Sequence, residues 1–399
     1  MKYIVIVPDG MADQPLKELN NRTPLQVART TNMDYLAQNG MIGQVQTIPR
    51  GMQPGSEVGN MSILGYNPGV YLSGRAPLEA ASMGITLADD EVAFRCNLVT
   101  VNGPVMGDYS AGHISSREAK VLIEHLNDQL RSGQVAFYPG KSYRHIMIIQ
   151  ARQPEQYITI KTTPPHDIMG RKINAYLPTG TRAQMLQKLM EQSRSLLAHH
   201  EINNVRVDLK ENPANMIWLW GQGGPIKLPS YREKYGLEGA IISAVDLVQG
   251  LGRVAGLEVI DVPNITGYYD TNYLGKARYA LKALQSKDFV YVHIEAPDEA
   301  GHNGDVQEKI NAIERIDKDV IGTVLNHFNQ QDDVRLMVVS DHPTPLALRT
   351  HTSDPVGFVM YGSRIPQQGA DRFDETTVKD RMFIDSGEDL MQTFLKKYL

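Results

Sequence analysis

The residues best suited to chemistry fall in a few short stretches: Asp9, Ser56, Asp298 with His302, and Asp341-His342 followed by His351. Each acid stands beyond an apolar run. Lys2 to Val7 (KYIVIV) leads to Asp9, Phe289 to Ile294 leads toward Asp298, and Arg335 to Ser340 (RLMVVS) ends on Asp341. Short β-branched runs of this kind read as buried strands, and open α/β sheets bind ligands beyond the C-terminal ends of their strands. Taken singly, an Asp or His in such a place is a turn former. Three carboxylates and three imidazoles converging on one sheet edge exceed turn chemistry, because buried unpaired acids repel and their pKa values climb. Divalent cations resolve that conflict. Mixed Asp and His ligands suit Mn²⁺ or Zn²⁺ better than Ca²⁺, with Co²⁺ and Mg²⁺ as further candidates. The ligands suffice for two ions, the arrangement that clamps the attacking and leaving oxygens of a phosphoryl displacement.

Ser56 supplies the oxygen nucleophile that such a site needs. Gly55 and Gly59 flank it, so the backbone can approach a phosphate closely, and the helical character of Asn60 to Leu64 puts the serine near a helix N-terminus. A metal-bound hydroxyl is also more readily deprotonated. The plainer role for Ser56 is an N-cap, worth ~1 kcal/mol, and one residue can fill both.

The elements that position these residues follow from the surrounding pattern. Thr23-Pro24 opens a helix, Asn32 to Asn39 forms another, and Pro49 to Gly59 is a shaped loop. From about Asp90 the texture changes. Strand-like pieces at Ala93 to Val101, Arg144 to Ile149 and Gln156 to Ile160 alternate with a helix opened by Ser115 and Glu118 in capping-box spacing, and with another from Arg182 to about Ala198. After Pro225, strand and helix alternate again, with strands predicted at Ala240 to Ala244, Leu257 to Val262, Phe289 to Ile294, Arg335 to Val339 and Val356 to Tyr361. That alternation marks a parallel sheet. The predicted fold is α/β: a mostly parallel sheet flanked by helices, formed by a metal-binding core domain of 1–90 and 225–399, with an inserted α+β cap or substrate domain at 91–224.

Composition narrows the partners. The 399 residues are 42% hydrophobic and 21% charged, with a net charge of -5 and no long charge runs. This leaves no basic footprint for nucleic acid and no polybasic membrane patch. The single cysteine, Cys96, sits in an alternating run and reads as a buried structural thiol in a reducing compartment. The first apolar run is too short for a signal-peptide core, and no run approaches a membrane span. The expected location is the cytoplasm and the expected partner a small phosphorylated metabolite or an amino acid. Gly250 to Gly256 fails the spacing of a dinucleotide fingerprint, and there is no Walker loop, so ATP could act only through the metals and Ser56.

Pro54-Gly55-Ser56, Leu64 to Pro68 (LGYNP), Gly74 to Ala80 (GRAPLEA), Asp298 to His302 and Asp341 to Asp354 together resemble the archaeal-type cofactor-independent phosphoglycerate mutases, members of the alkaline phosphatase superfamily. The resemblance covers nearly the whole chain. It implies one ion held by Asp9, Ser56, Asp341 and His342 and a second held by Asp298, His302 and His351, with Mn²⁺ favoured. It also implies a reaction in which Ser56 takes a phosphoryl group from 3-phosphoglycerate and returns it to the other hydroxyl, giving 2-phosphoglycerate. Substrate contacts are expected from Arg75, Asp108, His113, Glu295 and Arg349, although Arg75 could equally pair with Glu79. The sequence departs from the family pattern at Asp108 to His113 (DYSAGH), where that pattern is rich in arginine. It departs also at Glu295 in place of a lysine, Trp220 in place of an arginine and Asn60 in place of a histidine. Fewer cations suit a less anionic substrate. The alternative is therefore a homoserine kinase of the same family, using ATP; a plain phosphatase ranks third.

Overall fold

The computed structural model describes residues 1–328 and 333–396. Its strands, in chain order, are β1 (Lys2–Pro8), β2 (Met41–Val45), β3 (Glu91–Asn102), β4 (Val105–Asp108), β5 (Val135–Lys141), β6 (Arg144–Gln150), β7 (Met216–Gly223), β8 (Gly239–Ile242), β9 (Glu258–Val259), β10 (Phe289–Ile294), β11 (Val334–Val339), β12 (Val356–Gly362) and β13 (Met382–Ile384). The chain divides into two compact units, Met1–Leu72 with Lys227–Leu399, and Ser73–Ile226.

The first unit is built on an eight-stranded sheet of order β13-β2-β12-β11-β1-β10-β8-β9. β1 is central and pairs in parallel with both β10 and β11. β8 and β9 continue the parallel run, whereas β12 is antiparallel to both its neighbours. The central strands are apolar on both faces because helices cover both. Ile4, Ile6, Val290, Val292, Leu336 and Val338 share one core with Ala277, Ala280, Ile310, Ile313, Ile316 and Val320 of the helices behind them. The register pairs Val7 with His293, Pro8 with Ile294 and Val292 with Ile242. Residues just past β1, β8 and β10 therefore emerge side by side on the same sheet edge.

The second unit has a sheet of order β4-β3-β6-β5, with β7 on the far side of β3 and every pairing antiparallel. The helices Ser116–Leu130 and Ala183–Leu197 fill a separate core with it, and the predicted capping box of Ser115 and Glu118 is formed. Cys96 lies in this core, where burial pushes its thiol up.

Several predicted elements differ. Gln156 to Ile160, read as a strand from its Tyr, Ile and Thr, is a helical turn at Glu155–Ile158 begun by Pro154. The first domain boundary lies at Ser73 rather than 91, because the helix Arg75–Ser82 sets Ala76 and Ala80 against Ala93, Ile146 and Ile148 of the second unit's sheet. The strand predicted from Leu257 to Val262 shrinks to Glu258–Val259. No helix among the described residues is long and apolar enough to cross a membrane.

Candidate active site

Asp9 follows β1, Glu295 and Asp298 follow β10, and Asp341 follows β11 by two residues. All sit at the C-terminal edge of the parallel strands, the place where helix-covered sheets leave a crevice for ligands. Asp9, Asp341 and His342 are completely buried, and Asp298 is nearly so.

Ser56 is the first residue of the helix Ser56–Ile63, and the capping position falls to Gly55, which offers no side chain. The N-cap role considered for Ser56 is thus corrected by one residue, and its hydroxyl is left for other work. Its Oγ lies 3.4 Å from Asp9 Oδ2 and 3.3 Å from His342 Nε2. Helix and acid loop meet closely: a Cβ on Gly59 would lie 2.5 Å from the Asp341 carbonyl oxygen. On the other side Gly10 turns the chain at φ +61, and a Cβ there would meet Thr344 Oγ1 at 2.5 Å and Asp298 Oδ1 at 2.6 Å. Both glycines let backbone approach side chains that must converge.

Two sets of donor atoms result. In one, Asp9 Oδ1 stands 3.5 Å from His342 Nε2, which is 3.5 Å from Asp341 Oδ2. In the other, His302 Nε2 is 3.2 Å from Asp298 Oδ2, His351 Nε2 is 3.4 Å from Asp298 Oδ1, and the two imidazole nitrogens are 2.9 Å apart. The His342 and His351 rings lie 4.1 Å apart, so the sets adjoin. Groups able to hold an ion include Asp298, His342 and His351; Asp9, His293 and Asp341; and Asp9, Glu295 and Asp298, each with donor atoms within 4.8 Å of one another.

These residues fit divalent cations on grounds internal to the structure. Asp9 Oδ1 and Glu295 Oε2 are buried without a hydrogen-bond partner, a costly state for a carboxylate oxygen. Burial, then the charges of Asp341, Glu295 and Asp298, drives Asp9 well above the ordinary carboxylate range. Burial and the charge of Asp298 push Glu295 up to about 8. Burial also raises Asp298, but hydrogen bonds from His302 and His351 outweigh it and hold that acid well below its usual value. His302 Nδ1 lies 3.1 Å from the Arg349 carbonyl oxygen. With Nδ1 donating to that carbonyl, Nε2 is the nitrogen turned toward Asp298, and an ion taking the place of its proton would find the orientation of metal-binding histidines.

A pH dependence follows for the metal-free protein. Folded Glu295 keeps its proton up to about 8, whereas the unfolded chain releases it near 4.5. Its stabilising contribution is complete below 4.5 and is lost as pH rises through about 8. His302, held up to about 9 from 6.5 chiefly by its hydrogen bond to Asp298, acts in the same direction. In chelator, these two groups lower the melting temperature between about pH 5 and about pH 9, opposed below about 6.5 by His293 and His145, whose burial lowers their pKa to about 4 and about 3. Scanning calorimetry of wild type against Glu295→Gln isolates the acid: the variant should gain relative to wild type as pH rises toward about 8, and a pH-independent difference would contradict the assignment.

Sequence reasoning missed several residues. Asn60 Nδ2 donates to Asp341 Oδ2 at 2.8 Å and is itself fixed by Tyr291, whose hydroxyl donates to Asn60 Oδ1 at 2.7 Å. A neutral donor thus orients an acid. Thr344 Oγ1 donates to Asp298 Oδ1 and lies 3.3 Å from His342 Nδ1, touching both sets. Lys309, wholly buried, pairs with Asp13 at 2.6 Å and donates to the Thr344 carbonyl at 2.8 Å, pinning the loop from behind. His293 is fully buried with Nε2 2.9 Å from Asp9 Oδ2. The available signal for it was a histidine within an otherwise apolar and aromatic strand, FVYVHI.

The predicted substrate contacts divide. Asp108 accepts hydrogen bonds from Ser110 N, Ser110 Oγ, Gly112 N and Asn212 Nδ2, which together outweigh burial and lower its pKa. Those bonds hold the carboxylate to its own turn and to Asn212. His113 sits at φ 50 beside Tyr143, on the same turn. Arg349 contributes its carbonyl oxygen to His302 and is otherwise exposed. Glu79 pairs with Arg95 at 2.9 Å. Arg95 also lies 4.1 Å over the ring of Trp220, its cross-strand neighbour. A buried guanidinium held flat in this way can present its fork to a carboxylate or phosphate.

Comparison with known proteins places the chain in a family. The sequence profile of the 2,3-bisphosphoglycerate-independent phosphoglycerate mutases matches residues 37–203. The protein of that name from Methanosarcina acetivorans is 50% identical over 382 residues, 95% of this chain and 96% of the relative. A solved structure from Pyrococcus horikoshii superposes with a TM-score of 0.84 at 27% identity, covering 100% of this chain and 99% of that one. The cofactor-independent phosphoglycerate mutase of Thermoplasma acidophilum gives 0.68 at 27% identity, covering 99% of each. The homoserine kinase alternative drawn from the missing arginines gains no support from these relatives. With half its residues shared along nearly its full length, the chain belongs to the archaeal-type 2,3-bisphosphoglycerate-independent phosphoglycerate mutase family.

Proposed function

We propose that the protein is a divalent-metal-dependent phosphotransferase that interconverts 3-phosphoglycerate and 2-phosphoglycerate through a phosphoserine on Ser56. The observation that carries this reading is the setting of the Ser56 hydroxyl: at the first turn of a helix, free of capping duty, and between Asp9 and His342. Relatives named for the same reaction support it. Asp9, Ser56, Asp341 and His342 would hold one ion and Asp298, His302 and His351 the other; the mixed oxygen and nitrogen donors favour Mn²⁺. When bound, such ions neutralise the charge of the transferring phosphoryl group and favour the alkoxide form of the serine.

The chain's own groups do the rest. Asp9 Oδ2 accepts the Ser56 hydroxyl and aims its oxygen, and the backbone N–H groups opening the helix face the anionic phosphoryl oxygens. Ser56 Oγ forms a bond to phosphorus as the bond from phosphorus to the C3 oxygen breaks, and that oxygen takes up a proton. The C2 hydroxyl then gives up its proton and attacks the same phosphorus, releasing Ser56. Protons and phosphoryl groups balance without water, nucleotide or bisphosphoglycerate. Metal-free protein reconstituted with Mn²⁺ and given 3-phosphoglycerate alone should form 2-phosphoglycerate, read by phosphorus NMR. Release of inorganic phosphate without the isomer would replace this reading with a phosphatase.

A further inference from the structure

Beyond the proposed ligands, a row of hydrogen-bonded side chains crosses the sheet edge toward the nucleophile. Ser243 is the residue after β8, and the pairing of Ile242 with Val292 sets it beside His293 on β10. Ser243 Oγ lies 3.1 Å from His293 Nδ1, and the Val245 N–H donates to the same oxygen at 3.0 Å. His293 Nε2 lies 2.9 Å from Asp9 Oδ2, the atom that accepts the Ser56 hydroxyl. Gln249 holds the Ser243 carbonyl at 2.7 Å, and Lys276 Nζ donates to the His293 carbonyl at 2.7 Å. Both Ser243 and His293 are entirely buried.

The geometry points to Ser243 and His293 as a positioning relay that fixes the Asp9 carboxylate, with His293 donating from Nε2 and therefore not ligating an ion. The reasoning is a count of donors and acceptors. With an ion on Oδ1 keeping Asp9 ionised, its carboxylate can only accept, and the 2.9 Å contact of Oδ2 then requires hydrogen on His293 Nε2. A neutral imidazole then has a bare Nδ1, which must accept from the Ser243 hydroxyl. The remaining demand on Ser243 Oγ, accepting from Val245 N–H, leaves the hydroxyl proton free for that donation. Each polar side-chain atom of Ser243 and His293 then has a partner, and Glu295 Oε2, 3.8 Å from Nδ1, lies beyond hydrogen-bond distance. Although His293 stands with Asp9 and Asp341 in a group that could hold an ion, its nitrogens are spent on this relay. The relay thus reaches the acid beside the nucleophile from the residue after β8 through β10, on the carboxylate oxygen opposite the one that lies 3.5 Å from His342.

The inference rests on Asp9 as a metal ligand and is tested without turnover, so its failure is separable from failure of the mutase reading. Nitrogen NMR of histidine-labelled wild type loaded with diamagnetic Zn²⁺ should show His293 protonated at Nε2 only. Protonation at Nδ1 would free Nε2 for an ion and overturn the proposal. Titration calorimetry of metal-free Ser243→Ala with Mn²⁺ should show affinity about 10-fold to 100-fold weaker, the usual effect of losing such a support. Ser243→Thr, which keeps the hydroxyl, should restore it. Elemental analysis of His293→Gln should find the same number of ions per chain as wild type. Wild-type affinity in Ser243→Ala, or an ion lost in His293→Gln, would overturn the relay. Should either variant fold poorly, the wild-type tautomer still decides.

Discussion

Ser56→Ala is expected to lower the turnover of 3-phosphoglycerate by ~10⁴-fold or more, because no second oxygen can replace a covalent nucleophile. The loss should not be a folding effect. The Ser56 hydroxyl contacts Asp9 and His342 only at 3.4 and 3.3 Å, and it does not cap its helix. Calorimetric melting of the variant should therefore stay close to wild type while activity disappears. Substantial residual isomerisation would show that the phosphoryl group moves without Ser56. Ser56→Thr offers a graded comparison: it keeps a hydroxyl but adds a methyl at a residue already 9% exposed, and should recover little.

The second large effect is expected at Asp298. This acid gathers Thr344 Oγ1, His302 Nε2 and His351 Nε2 around one carboxylate. In Asp298→Ala the two imidazoles remain 2.9 Å apart with nothing anionic to draw an ion between them. Turnover should fall on the order of 10³-fold or more, since the partner of a two-ion clamp is lost. Elemental analysis should find one ion fewer per chain. The metal-free variant loses the bonds from Thr344, His302 and His351 but also the repulsion on Asp9 and Glu295, and a calorimetric melt shows whether it folds. Retained activity with a full metal complement would mean the second set is misassigned.

Much of the site could be read from the sequence because apolar runs locate strand ends, and strand ends in parallel sheets locate ligands. Asp9, Asp298 and Asp341 follow directly from β1, β10 and β11. What supports them could not be read in the same way. Ser243, Asn60 and Thr344 are small polar residues common in turns and caps, and their value lies in partners tens or hundreds of residues away, as with Asn60 and Asp341. His293 was hidden by position, since a strand pattern absorbs one polar residue without breaking. Arg95 was hidden for the same reason in β3, where it pairs with Glu79.

The fold shows a similar division. The parallel alternation after Pro225 was clear, yet the reversed β12 and the short β2 (MIGQV) were not marked by composition. The stripe from Ile310 to Val324 is continuous in sequence, but a π-helical stretch at Ile316–Ile321 interrupts the regular winding. Asp317 within it accepts from Asn32 N at 3.1 Å and Met33 N at 2.7 Å, tying down the start of the helix Thr31–Asn39. Such long-range ties override local pattern.

The central claim is that the phosphoryl group resides on Ser56 during the reaction. Its most direct test is a rapid acid quench of Mn²⁺-loaded protein with 3-phosphoglycerate carrying a radiolabelled phosphoryl group, followed by peptide mapping. The account predicts label on the peptide containing Ser56, appearing before 2-phosphoglycerate and lost as that product forms. Formation of 2-phosphoglycerate with no labelled protein, or with label on a different residue, would contradict it.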